Sequence, residues 1–141
     1  MGPNLTEALA IFRNNGEPVS QASVLVAQAN HWRITGDHTA AEQALAQALA
    51  ISRDCRAEGV ETEMLNTTGS LRYASGDLDD AADHHRKALH RGRQLALPLE
   101  EGRALAGLGR CALSIGDHSA ALALMQQAHA ALIPTLGSRS K

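Results

Sequence analysis

Arg72-Tyr73-Ala74-Ser75-Gly76-Asp77-Leu78-Asp79-Asp80-Ala81 contains the dipeptide Gly76-Asp77, and Gly-Asp stands again at Gly36-Asp37 and Gly116-Asp117, 40 residues to either side. Glycine adopts the left-handed backbone that closes a helix without a steric penalty. Aspartate accepts from the free amides that open the next helix. One dipeptide therefore reads as stop and start between two helices. The register spreads outward from it: Ala41, Ala81 and Ala121 share a column, as do Ala48, Ala88 and Ala128, Leu25, Leu65 and Leu105, and Ala29, Gly69 and Gly109. Arg53 aligns with Arg93, and Ala8-Leu9 aligns with Ala48-Leu49 and Ala88-Leu89. A fixed period of this length marks stacked supersecondary units that bury their apolar faces against one another and offer a surface.

Each unit divides into two helices, which the sequence places at 18–35 and 38–55, 58–75 and 78–95, and 98–115 and 118–133. Pro18 and Pro98 fall in first helical turns, where the missing amide would be unpaired in any case. A leading helix at 4–15 corresponds to the second helix of a further unit, and 134–141 form a tail. The whole is a single all-α repeat domain. Columns of Ala and Gly are expected to face each other between paired helices and to let their axes approach to about 8 Å. Leu25, Leu45, Leu65, Leu89, Leu105 and Met125 are expected to fill the spaces around them.

Composition narrows the rest. The chain has 141 residues, one domain by length, with one each of Trp, Tyr and Phe, so no core of large rings is available. Sparse β-branched residues argue against a sheet. A formal net charge of −2 gives no electrostatic case for nucleic acid. The basic residues between Arg86 and Arg93 follow Asp77, Asp79, Asp80 and Asp83, an order that matches the helix dipole and cancels the field of a basic patch. No apolar run is long enough to span a membrane and no signal peptide is visible. Cys55 and Cys111 read as free thiols, and a cytoplasmic location is expected.

The spacing of small and apolar residues around the turn resembles the tetratricopeptide repeat. The first unit supplies Leu25, Ala29, Trp32, Ala41, Leu45 and Ala48. The third supplies Leu105, Leu108, Gly109, Ala121, Met125 and Ala128. The second departs from the pattern, with Thr68, Arg72 and His85 where apolar residues stand in the family. Units of 40 residues are similar to those of large bacterial transcriptional regulators and signal-transduction ATPases. The resemblance runs from about Leu5 to Ile133. It implies an α-solenoid of antiparallel helix pairs in a right-handed superhelix, whose concave wall is lined by the first helix of each pair.

On that wall the resemblance and helical spacing together place Ser23, Val26, Asn30 and Arg33, then Glu63, Asn66, Ser70 and Tyr73, then Arg103, Ala106, Arg110 and Leu113. Asn offers donor and acceptor to an extended peptide backbone. Arg offers a planar fork to a carboxylate. Asn30, Arg33, Asn66, Arg103 and Arg110 are expected to floor a groove for an acidic or C-terminal segment, with Glu63, Ser70 and Tyr73 beside them. A purely solvated face is the competing reading. Trp32 could stack a ligand, but its consensus position is buried. The expected function is protein or peptide recognition, as the sensory or scaffolding part of a larger bacterial regulator. Two alternatives are a self-assembling module and a small-molecule effector domain.

Start in mid-repeat and an apolar last helix suggest an excerpt of a longer chain; a short natural protein that pairs its ends is the alternative. Either predicts self-association through end faces, sensitive to a charge at Leu132 or Phe12. No enzyme is expected. None of the seven His has another three or four residues away, so no helical His metal site is expected. Neither cysteine has a base near it in sequence. No phosphate loop or dinucleotide fingerprint occurs, and no cofactor is expected.

Overall fold

The computed structural model describes residues 18–137, with side chains to Ile133. Six helices make up these residues: α1 (Pro18–Thr35), α2 (His38–Cys55), α3 (Glu58–Ala74), α4 (Leu78–Gln94), α5 (Pro98–Ser114) and α6 (His118–Gly137). There is no strand among them. The leading helix expected at 4–15, with Leu5, Leu9 and Phe12, lies outside the described residues, as does most of the expected tail. The last helix continues to Gly137, past Ile133 where the sequence placed its end.

The Gly-Asp turns are built alike. Gly36, Gly76 and Gly116 have φ of 91°, 85° and 85°. The amide of the following Asp bonds back to the carbonyl five residues earlier, Asp37 to Trp32 at 2.8 Å, Asp77 to Arg72 at 3.0 Å and Asp117 to Ala112 at 2.9 Å. That bond absorbs one of the carbonyls a helix end leaves open. Each Asp carboxylate then accepts from the amide three residues on, at 3.0, 3.2 and 3.1 Å for Ala40, Asp80 and Ala120. The turns from α2 to α3 and from α4 to α5 use the same return bond, Ala57 to Ser52 at 3.1 Å and Leu97 to Gly92 at 2.8 Å. Here Arg56 and Ala96, both at φ 54°, take the left-handed position without being glycine. Nothing in side-chain type announced those two.

The chain divides into two compact units, one reaching to Thr67 and the other starting at Thr68, within α3. In the first, α1 packs along α2. Ala29, Ala41 and Ala48 are fully covered at the contact, with Leu25, Val26 and Leu45 around them. Ser52, buried in α2, has its hydroxyl 3.2 Å from the Leu49 carbonyl and 3.7 Å from the Met64 sulfur. Burying a hydroxyl is tolerable only with such partners.

In the second unit α5 packs against both α4 and α6. Ala81, Ala88, Ala104, Leu105, Ala121 and Ala128 are buried. Two of the residues expected as fillers here are only partly covered, as is Leu65 of the first unit: Leu65 and Leu89 are half-buried, and Met125 is 38% exposed. His85 is instead among the most deeply covered side chains, at 1% exposure. Its ring lies between two glycines. A Cβ on Gly69 of α3 would stand 2.7 Å from His85 Nε2, and one on Gly107 of α5 would press into the same ring. The column that holds Leu45 and Met125 thus holds a polar ring at His85, and two glycines make the space for it.

Candidate functional site

The expected wall residues are positioned by α1, α3 and α5, and their columns behave differently. The column of Val26 and Asn66 turns inward: both are 1% exposed. Asn66, expected to floor a groove, therefore belongs to the interior of its unit, beside buried Thr62 and Thr67. Placing it outward from the resemblance and helical spacing failed because α3 buries a polar face of Thr62, Asn66 and Thr67, which hydropathy does not reveal. Val26, also expected outward, fails more simply, since a buried valine needs no partner.

In the first unit Asn30 and Arg33 are half-buried and linked. Asn30 Nδ2 donates to Thr67 Oγ1 at 3.1 Å, and Arg33 Nε donates to Asn30 Oδ1 at 3.3 Å. The amide that was to read a peptide backbone thus has one donor and its oxygen already engaged. It positions the Arg33 guanidinium. Glu63 is half-buried on α3, and Trp32 is half-buried with its ring edge-on to His31 at 5.0 Å.

In the second unit the structure gathers Ser70 and Tyr73 from α3 with Arg110 from α5. The Arg110 guanidinium carbon lies 5.7 Å from the centre of the Tyr73 ring, a cation–π distance. Arg110 Nη2 reaches Ser70 Oγ at 3.4 Å. The Tyr73 hydroxyl is 2.8 Å from Ser114 Oγ. Ser114 went unforeseen because it sits one residue past the column that contains Tyr73 and Leu113. Arg103 stands apart from this group in its bonding: its Nη1 meets both carboxylate oxygens of Glu100, at 3.0 and 3.3 Å. Glu100 is itself buried, so Arg103 is a neutralising partner rather than an open cation. Arg110 is exposed and makes no ion pair among the described residues.

These charges reach the interior. Burial, then Arg110, Arg103 and His84 in that order, hold the His85 imidazole down to a pKa of about 4. Burial also raises the Cys111 thiol, against weaker opposite pulls from Arg110 and Arg86. A raised thiol is a poor nucleophile. Among the described residues no group of three His, Cys, Asp or Glu side chains is placed to hold a metal, and no helix is long and apolar enough to cross a membrane.

The helix pairs, their Gly-Asp turns and the small-residue contacts define the repeat, and the family comparison agrees. The tetratricopeptide repeat family model matches residues 60–133, just over half of the chain. The chain is a tetratricopeptide-repeat protein. Among solved structures, BtubC (BKLC) from P. vanneervenii superposes on this repeat protein with a TM-score of 0.72 at 23% identity. The match covers 94% of this chain and 56% of that one, so the tetratricopeptide-repeat chain spans little more than half the length of its structural neighbour. At that identity the likeness concerns the fold. No curated protein sequence matches the chain.

Proposed function

We propose that this repeat protein recognises a protein partner through an acidic or C-terminal segment, which the Arg110–Tyr73 surface of the second unit contacts. The observation that carries the reading is an exposed guanidinium held over an aromatic ring and beside a hydroxyl, with no carboxylate partner among the described residues. Such a side chain has lost part of its rotamer freedom before any ligand arrives, which lowers the entropic penalty of binding. Its planar fork suits a carboxylate, and Ser70, Ser114 and Tyr73 add hydroxyls that donate or accept. Arg33, whose Nε donates to Asn30 Oδ1, is a separate candidate contact on the first unit. A sensory or scaffolding place in a larger bacterial regulator, acting in the cytoplasm, is the setting that suits a non-catalytic module of this kind.

The test is a titration with fluorescein-labelled peptides that end in two acidic residues and a free carboxylate. Joint reversal, Arg33→Glu with Arg110→Glu, is expected to weaken binding at least about 30-fold, the order expected for losing charge-assisted contacts and adding repulsion. The helical circular dichroism signal should stay unchanged. Equal affinity of the variant would end this reading.

A second reading rests on α6. Leu122, Met125, Leu132 and Ile133 are 61%, 38%, 42% and 45% exposed, and apolar residues repeated on one helix favour association. Leu132 also packs against Gly102, so Leu122 is the cleaner probe. If α6 mediates self-association, sedimentation equilibrium will show concentration-dependent mass for the wild type and a monomer for Leu122→Glu. A monomer for both would remove this second role.

A further inference from the structure

The second unit has a cleft that shares no residue with the Ser70, Tyr73, Arg110 and Ser114 group. It has a volume of about 290 Å³ and is walled by α4, α5 and α6. Its floor is hollow because the side chains there are small: Ala82, Cys111 and Ala112, all buried. Ile115 and Leu124 rise beside them, Ile115 with 72% of its surface exposed. Two charged residues of α4 complete the lining, Asp79 and Arg86.

Those two charges set the cleft apart from the rest of α4. Asp80 pairs with Arg72 at 3.1 Å, Asp83 with Lys87 at 3.1 Å and Arg93 with Glu101 at 3.4 Å. Asp79 and Arg86 make no ion pair or side-chain hydrogen bond among the described residues. They are seven residues apart on one helix, about 10 Å along its axis. Both border the same apolar hollow. The lining therefore offers a negative end, an apolar middle and a positive end.

A helix laid along α4 repeats that spacing. Its residues i and i+7 lie on one face about 10 Å apart, and i+3 and i+4 lie between them on the same face. We propose that this cleft receives an amphipathic helix of a partner protein that carries a basic residue at one end, bulky apolar residues at i+3 and i+4, and an acidic residue at the other. The apolar pair enters the hollow over Ala82 and Cys111, the basic residue meets Asp79 and the acidic one meets Arg86. A free fatty acid or similar carboxylate would leave Asp79 facing it without a counter-charge, so the two opposite charges favour the helix. This docking is independent of the Arg110 surface.

The test uses the full chain carrying Cys55→Ser, so that Cys111 in the cleft floor is the sole thiol. The probe is a fluorescein-labelled, alanine-based helical peptide with Lys, Leu, Phe and Glu at i, i+3, i+4 and i+7. Saturable anisotropy is expected, with iodoacetamide labelling of Cys111 slowed as the peptide saturates. Arg86→Glu is expected to weaken the peptide about fivefold, and replacing the peptide's Glu with Lys should restore affinity for that variant, the pattern of a charge pair exchanged across an interface. Asp79→Lys against a peptide with Glu at both ends runs the same cycle from the other side. Arg33→Glu with Arg110→Glu should leave this peptide unaffected. Absence of saturation up to about 1 mM, the weak limit of useful recognition, would overturn the proposal. So would binding that ignores both charge cycles or leaves Cys111 labelling unchanged. Protection of Cys111 by octanoate but not by the peptide would make the cleft a small-carboxylate site and overturn it equally.

Discussion

Gly107→Ala is expected to destabilise the second unit by about 2 kcal/mol, although alanine is the better helix former. Two effects compete. Removing a glycine from a helix interior favours folding by about 1 kcal/mol. Forcing a methyl group into a filled site disfavours it by about 3 kcal/mol. The second wins because of what the methyl meets. It would press into the His85 ring, and that ring has Gly69 on its other side, where an added Cβ would also stand only 2.7 Å away. A planar ring held between two backbones has no rotamer that relieves both.

Three comparisons isolate the cause. At Gly109 an added Cβ would meet the end of Met125, with Cε at 2.9 Å. That chain is flexible and partly exposed, so Gly109→Ala should change stability by less than about 1 kcal/mol. At Gly59 nothing lies within 4 Å, and Gly59→Ala should stabilise by about 0.5–1 kcal/mol. Combining Gly107→Ala with His85→Ala should cost less than the sum of the two, with a coupling of about 1 kcal/mol or more. Urea unfolding monitored by circular dichroism measures all of them. If Gly107→Ala proves as stable as the wild type, His85 is not confined as described.

The same pair of residues shows where reading the sequence succeeds and stops. The Gly-Asp turns were legible because one local motif performs two chemical tasks, and both the glycine's backbone and the aspartate's carboxylate act within a few residues. The alanine columns were legible for a similar reason: a fixed period forces equivalent residues into equivalent contacts. His85 was visible as a departure from the apolar column of Leu45 and Met125. Its burial was not, since it depends on Gly69 and Gly107, which lie on two other helices. Asn66 shows the same limit from the other side. Helical spacing put it on a wall, but whether a polar residue faces out depends on partners in another element. On the proposed surface, Tyr73 and Arg110 were named by register, whereas Ser114 entered only through the reach of the Tyr73 hydroxyl.

Acid should unfasten the second unit through His85, and the direction follows from its surroundings. In the unfolded chain this imidazole takes up a proton near the ordinary value of 6.5, whereas in the fold it does so only near 4. Burial disfavours the charged ring first. Arg110 and Arg103 of α5 and neighbouring His84 add repulsion. Between those two values the unfolded state binds a proton that the native state refuses, so stability falls as pH drops through that range. Above about pH 7 the contribution is complete, and below about pH 4 it is gone. At 1.36 kcal/mol per pH unit the full loss is about 3 kcal/mol, a large share of a small domain's stability. His85→Met replaces the ring with the side chain that its own column carries at Met125, and it should remove this dependence. Urea unfolding at pH 7, 5.5 and 4 should give a steep decline for the wild type and a shallower one for the variant, by about 3 kcal/mol across the range. Parallel declines would mean that His85 protonates in the fold as readily as in the unfolded chain, and that the glycine-lined site does not exclude the charged ring.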